Sequence, residues 1–301
     1  MEIRVLQYFL VIAREQTISG AAEVLHITQP TLSRQIKDLE DELGKQLFIR
    51  SNKKISLTED GLLLRQRAEE IVNLVNKTEL EMMTSDSLLS GEIHIGSGEC
   101  QALKIITKSM KKMQLSYPAV KFDIHSGNAP DVIDRIDNGL IDFGLITFHP
   151  KVTEYDHIMM PIKHHWGLLM RIDDPLATKT QITYEDIADM PLIVSKEINN
   201  DSQLTEWFKK NISHLNIFST YTLLYNATLM VEDNLGYAVC LDKLINTAGD
   251  SELCFRPLSP YLEVTYYFIW KKYNILSKAS KQFLNIIQDM TDEYEKINSN
   301  Y

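Results

Sequence analysis

Along the first sixty residues the apolar positions keep a helical period and then switch to short runs. Leu6, Phe9, Leu10 and Ala13 recur at helical spacing, and Ile18, Ala21, Ala22 and Leu25 do so again after a break at Glu15 to Thr17, which predicts two short helices. Thr28 precedes Gln29 and Pro30, a capping hydroxyl with proline in the first turn, where its missing N–H costs nothing. Leu32, Ile36, Leu39 and Leu43 mark the buried stripe of a third helix that ends at Gly44. Residues 47–50 and 54–57 flank Ser51-Asn52-Lys53 and read as a hairpin with basic side chains at its turn. Three helices followed by a basic hairpin make a winged helix-turn-helix over residues 1–57.

From Thr58, followed by Glu59 and Asp60, a proline-free stretch predicts one long helix. Leu64, Ala68, Ile71, Val75, Thr78 and Met82 are spaced alternately by four and three residues, the seam of a two-stranded coiled coil. Such a stripe also packs a helix back on its own domain. Residues 85–91 read as a hinge, so 58–90 form the linker. Beyond Gly91 apolar runs alternate with helical patterns: strand 93–96, helix 103–116, strand 120–126, helix 132–138, strand 143–147. The alternation restarts with strands at 166–170, 192–194 and 217–221, helix 226–232 and strand 237–241. This predicts parallel α/β structure in two lobes. A strand at 264–270 and a helix burying Phe283, Ile287, Met290 and Tyr294 return to the first. The expected effector-binding domain is 91–301, with lobe I at about 91–161 and 262–301 and lobe II at about 162–261.

Charge changes the picture in one place. The 301 residues carry a net charge of -10, which taken whole disfavours nucleic acid, since affinity for a duplex comes largely from neutralising phosphates. Residues 1–57, however, hold eight Lys/Arg against seven Asp/Glu, so the acidity lies in the remainder. Within the third helix Asp38, Glu40, Asp41 and Glu42 crowd the second half, where phosphates would be repelled. Only the N-terminal end suits a groove. That end offers Gln29, Thr31, Ser33 and Arg34 as donors to base edges or backbone, at the positive end of the helix dipole. Arg50, Asn52, Lys53 and Lys54 of the wing suit phosphates or the minor groove. The plain alternative is a small helical domain with a solvated polar face.

The stretch Thr17 to Gly61 resembles the signature of LysR-type transcriptional regulators. The likeness is carried by Ala21-Ala22, Leu25, Gln29-Pro30, Ser33-Arg34, Leu39-Glu40, Leu43-Gly44, Leu47-Phe48, Arg50 and Leu57-Thr58-Glu59-Asp60-Gly61. It implies a DNA-binding regulator that works as a homodimer or homotetramer and answers to a small metabolite. Its C-terminal fold is expected to be similar to periplasmic solute-binding proteins. Gly20 departs from the pattern, because many members carry Arg or another polar residue there. Paired recognition helices imply an imperfect inverted repeat as the double-stranded DNA target, and RNA polymerase is a further expected partner.

In open sheets ligands bind where loops leave the carboxyl ends of strands. The loop Gly98, Glu99, Cys100, Gln101 opens a helix whose free N–H groups suit a carboxylate or phosphate. Gly127, Asn128, Thr147, Phe148, Ser195, Lys196, Tyr225 and Asn226 should face it. Lys196 suits an acidic ligand and Glu99 opposes one, which leaves an amine, a hydroxylated compound and an acid all open. Cys100, a thiol at a helix start, is a candidate oxidant sensor through a lowered pKa.

The alternative class is a nicotinamide-dependent oxidoreductase using Gly96-Ser97-Gly98 as a dinucleotide loop, but Gln101 stands where the third glycine belongs. His157, His164 and His165 lack metal-helix spacing and read as surface or cleft residues, so no metal is expected. No cofactor or catalytic constellation is indicated. The three cysteines suit reduced thiols. Glu2, Arg4, Arg14 and Glu15 interrupt any signal-peptide core, no stretch suits a membrane helix, and the cytoplasm is the expected compartment.

Overall fold

The computed structural model describes residues 1–50, 54–83, 89–147, 150–200, 202–208, 212–273 and 275–298. The chain divides into two compact units, Met1–Thr84 and Ser85–Tyr301.

The first unit begins with α1 (Ile3–Glu15), α2 (Ile18–Val24) and α3 (Gln29–Leu43). Their boundaries follow local chemistry: Thr17 Oγ1 accepts from Gly20 N–H at 3.2 Å and Thr28 Oγ1 from Thr31 N–H at 3.4 Å. Leu6, Phe9, Ile12, Leu32, Ile36 and Leu39 are buried together. Leu43, expected in that stripe, is 39% exposed, because the helix ends there and Gly44 turns the chain away. Strands β1 (Phe48–Arg50) and β2 (Ile55–Leu57) pair antiparallel as the wing. The long helix α4 (Glu59–Met83) starts under Thr58, whose Oγ1 accepts the Gly61 N–H at 2.9 Å. A Cβ at position 61 would lie 2.1 Å from the Leu47 carbonyl oxygen, so only glycine lets α4 meet the wing.

In the second unit β3 (Gly91–Ser97) pairs in parallel with β4 (Val120–Ser126) and β5 (Phe143–Thr147), with α5 (Leu103–Ser116) and α6 (Ala129–Asp137) as crossovers. The wholly parallel expectation is corrected by β6 (Tyr155–Arg171), a seventeen-residue strand antiparallel to its partners. It runs through both lobes, and its first half was not foreseen.

The second lobe holds α7 (Tyr184–Ile187), β7 (Leu192–Ser195), α8 (Ser202–Trp207), β8 (Ile217–Tyr221), α9 (Tyr225–Glu232) and β9 (Tyr237–Leu241). The unforeseen β10 (Leu253–Pro257) pairs antiparallel with β6. β11 (Glu263–Lys271) then runs back along β6, and α10 (Lys278–Asn298) packs Phe283 and Ile287 into the first lobe.

The sheet order is β4-β3-β5-β11-β6-β9-β7-β8. Between the lobes the β6–β11 register breaks: Thr265 pairs with Lys163 but Tyr267 with Met159. Pro161 lies in that break, where a residue without an N–H is tolerated. Each lobe has apolar cores on its sheet, the first around Phe143, Phe268 and Phe283, the second around Leu192, Val194 and Phe208.

Candidate functional site

In the first unit the α3 cap shapes the exposed end. Besides accepting the Thr31 N–H, Thr28 Oγ1 lies 2.8 Å from the Thr31 hydroxyl. Gln29, Thr31 and Arg34 are exposed and Ser33 is half-buried. The Arg34 side chain is 83% exposed and approaches Asp38 Oδ2 only to 3.9 Å, an exposed pair that restrains it little. Lys37 sits three residues on, on the same exposed face. Sequence patterning missed it, although its spacing from Arg34 was the available signal.

Glu40 does not stand outward with the acidic half of α3. Its Oε1 accepts the N–H groups of Leu47 at 2.7 Å and Phe48 at 3.2 Å, so it fixes the entry to the wing. Lys54, before β2, is exposed. Asn52 and Lys53 lie outside the described residues, and of Arg50 only the backbone is described.

The coiled-coil seam is corrected in its first half. Ala68 is fully buried against the core of its own unit, and Leu64 and Ile71 pack against the same core. Val75 is half-buried and Thr78 is exposed, with its hydroxyl donating to the Leu74 carbonyl at 2.8 Å; the Met82 side chain lies outside the described part. Among the described residues of α4 the apolar side chains left outward are Leu62, 56% exposed, Leu63, 59% exposed, and Leu74, 43% exposed. The folded-back packing therefore holds for the first turns of α4.

In the second unit a cavity of about 160 Å³ opens between the lobes. Gly98, Glu99, Gly127, Asn128 and Thr147 line it from the first lobe and Ser195 from the second, as the strand-end rule anticipated. Trp166 and Leu241, from β6 and β9, also line it, together with Glu197, Ile198, Leu244, residues 221–224 and the first turn of α6. The walls are mainly apolar.

Five expected residues do not line the cavity. Tyr225 and Asn226 are exposed, because α9 already begins at Tyr225 and the preceding loop takes the inward place. Lys196 is exposed, its N–H donating to Tyr221 O at 2.9 Å. Gln101 is engaged elsewhere, donating from Nε2 to the Lys243 carbonyl at 2.7 Å. Cys100 packs against the first-lobe core, and burial pushes its thiol up, opposite to the lowering expected at a helix start. Phe148 lies outside the described residues.

The N-terminal turn of α5 is also not the free anion receptor expected. Leu103, Lys104 and Ile105 donate to the carbonyls of Cys100, Gln101 and Ala102 at 3.3, 3.0 and 3.1 Å. Gly96 serves packing, since a Cβ there would lie 2.6 Å from Ile141 Cδ1 and 3.1 Å from Val132.

Among the described residues, side-chain hydrogen bonds bridge the lobes at the cleft. Glu99 Oε2 accepts the Leu224 N–H, Asn128 Nδ2 donates to Glu197 Oε1 at 2.9 Å, and Gln101 reaches Lys243 as above. Near the register break His164, expected at the surface or cleft, is only 1% exposed. Its Nδ1 lies 3.1 Å from the Tyr266 hydroxyl and 3.8 Å from Asp242 Oδ1. Burial holds its pKa below the ordinary imidazole value, with Asp242 opposing. Among the described residues no group of three His, Cys, Asp or Glu converges as a metal site, and no helix is long and apolar enough to cross a membrane.

Two family profiles match the chain: the bacterial regulatory helix-turn-helix protein, lysR family, over residues 3–62, and the LysR substrate binding domain over residues 86–292. The chain is 26% identical over 298 residues to the HTH-type transcriptional regulator BsdA of Bacillus subtilis, covering 95% of this chain and 100% of that protein. It is 25% identical over 296 residues to the Hca operon transcriptional activator HcaR of Escherichia coli, covering 96% and 98%. Its fold is similar to that of full-length CbnR complexed with its target DNA, with a TM-score of 0.73 at 17% identity, covering 96% of this chain and 100% of that one.

Proposed function

Because the chain belongs to the LysR family of bacterial helix-turn-helix regulatory proteins, we propose that it regulates transcription by reading an imperfect inverted repeat in double-stranded DNA as a homodimer or homotetramer. Gln29, Thr31, Ser33 and Arg34 enter the major groove, while Lys37 and the wing residues Arg50, Asn52, Lys53 and Lys54 hold phosphates. The observation that carries this reading is the capped, exposed start of α3, which presents donors at the positive end of a helix. The outward Leu63 and Leu74 of α4 supply apolar surface for a second copy. The relatives BsdA and HcaR are, by name, a transcriptional regulator and a transcriptional activator. The family assignment leaves the dinucleotide-oxidoreductase alternative without support, and the packing role of Gly96 and the engagement of Gln101 agree.

A small molecule held between the lobes controls the regulator, acting through unequal affinity for arrangements that space the recognition helices differently. The site of action is the cytoplasm, where DNA and RNA polymerase, the further partner, are found. Gel retardation with the DNA upstream of its own gene, at low ionic strength, tests the reading. A retarded complex that outcompetes random duplex is expected, and no complex under any condition would overturn it.

A further inference from the structure

The interlobe cavity carries information about the charge of its guest. Resting on the reading of that cavity as the effector site, we propose that the effector is a small apolar amine, bound as its cation, rather than a carboxylate or a phosphate. Size comes first. A cavity of about 160 Å³ is close to the roughly 150 Å³ in which an apolar protein cavity admits benzene, so the guest is about one ring in bulk.

The walls set its character. Trp166, Leu224, Leu241 and Leu244 give it an apolar bed, and among the described lining residues there is no Lys, Arg or His. The charged side chains among them are two carboxylates, Glu99 and Glu197. An anion entering here would leave water to face two like charges with no cation among the described lining residues.

Helix N-termini, the other common means of holding an anion, are in part taken by the protein's own oxygens. The first-turn N–H groups of α5 are bonded to carbonyls of the preceding loop. At α6 Asn128 Oδ1 takes the Asp131 N–H at 3.1 Å, and Asp131 itself places a carboxylate in the first turn. At α9 the Leu224 N–H is taken by Glu99. The positive ends that converge on the cleft are thus partly offset from within.

Glu99 is the group we assign to the ammonium. Its Oε2 holds Leu224, while Oε1 has no hydrogen-bond partner among the described residues, and a carboxylate has lone pairs for several donors. An ammonium bonded there joins a carboxylate that already links the two lobes, so binding favours the closed cleft.

The test uses the full chain with benzylamine, benzyl alcohol and benzoate, three one-ring probes that differ in charge, each followed by thermal shift and calorimetric titration. Benzylamine is expected to bind saturably and raise the melting temperature, benzyl alcohol to bind more weakly, and benzoate not to bind. Glu99→Gln keeps an oxygen for Leu224 but removes the charge, and should weaken benzylamine by about tenfold or more, the loss of one charge-assisted hydrogen bond. Glu197→Gln is the second charge-removing variant should the first fail to fold. Thr147→Trp, which fills the cavity, should abolish benzylamine binding.

Benzoate binding that Thr147→Trp abolishes would overturn the amine assignment and leave the cleft as the effector site. Benzylamine binding indifferent to Thr147→Trp would place it elsewhere and overturn the assignment. Failure of all three probes would overturn it as well and count against the cleft itself.

Discussion

Asn128 Nδ2 donates to Glu197 Oε1 across 2.9 Å, tying the start of α6 in one lobe to the loop after β7 in the other. The same side chain caps α6 through Oδ1, so one residue couples a local helix start to closure of the cleft. Asn128→Asp preserves the cap and sets two carboxylates against each other. Asn128→Ala loses both interactions and should cost about 1 to 3 kcal/mol of stability. Denaturant unfolding of the full chain should rank wild type above Asn128→Ala. Hydrogen exchange in both variants should accelerate at Leu224, whose N–H depends on the closed cleft; unchanged exchange in Asn128→Asp would remove the tie from the account of closure.

Arg34 and Lys37 share an exposed face of α3 but are expected to do different work. Arg34→Ala should reduce discrimination between the operator and random duplex by about 1 to 3 kcal/mol, the worth of a base-edge contact. Lys37→Ala should weaken both duplexes alike and lower the salt dependence by about one charge. Fluorescence anisotropy titrations over a salt series separate the two. A uniform loss for Arg34→Ala would make it a backbone contact instead.

Glu40 holds the wing through two backbone N–H groups. Glu40→Gln keeps an acceptor oxygen and should be mild, whereas Glu40→Ala leaves the Leu47 and Phe48 donors unpaired in a part-buried place and should cost about 1 to 3 kcal/mol. Thermal unfolding gives the stability. Footprinting should show weakened flanking protection in Glu40→Ala while the protection centred on α3 persists.

His164 makes stability depend on acid. Its folded pKa lies below the unfolded value of about 6.5, chiefly through burial. Below that pH the unfolded chain takes up a proton that the fold refuses, so this contribution is intact above about 6.5 and is lost progressively as pH falls toward the depressed folded value. Asp242 opposes the shift, whereas Lys243 and His165 reinforce it; the Tyr266 hydroxyl is the bonded neighbour. Denaturation midpoints between about pH 7 and 5 should fall in wild type and fall less in His164→Gln. Equal slopes would show that other groups set the acid sensitivity.

Much of the first unit was legible because its decisive interactions are local. Thr17, Thr28 and Thr58 each bond an N–H three residues on, and such caps are written in consecutive residues alongside the apolar period. The loops at strand ends were legible for the same reason, and six of the twelve expected effector positions line the cavity. The sequence by itself thus determined the winged helix-turn-helix, the long helix and the pair of lobes.

What the tertiary structure alone decided is partnership at a distance. Only residues 166–170 of β6 read as a strand until β11 pairs along its first part and the register slips around Pro161. Glu40 is one acidic residue among four until the wing folds back beneath it, and Ala68 and Ile71 fit a dimer seam until the unit's own core takes them. The pairing of Glu99 with the Leu224 N–H spans 125 residues. No local pattern encodes that choice, since a carboxylate accepts from any donor and only packing brings one particular N–H within reach.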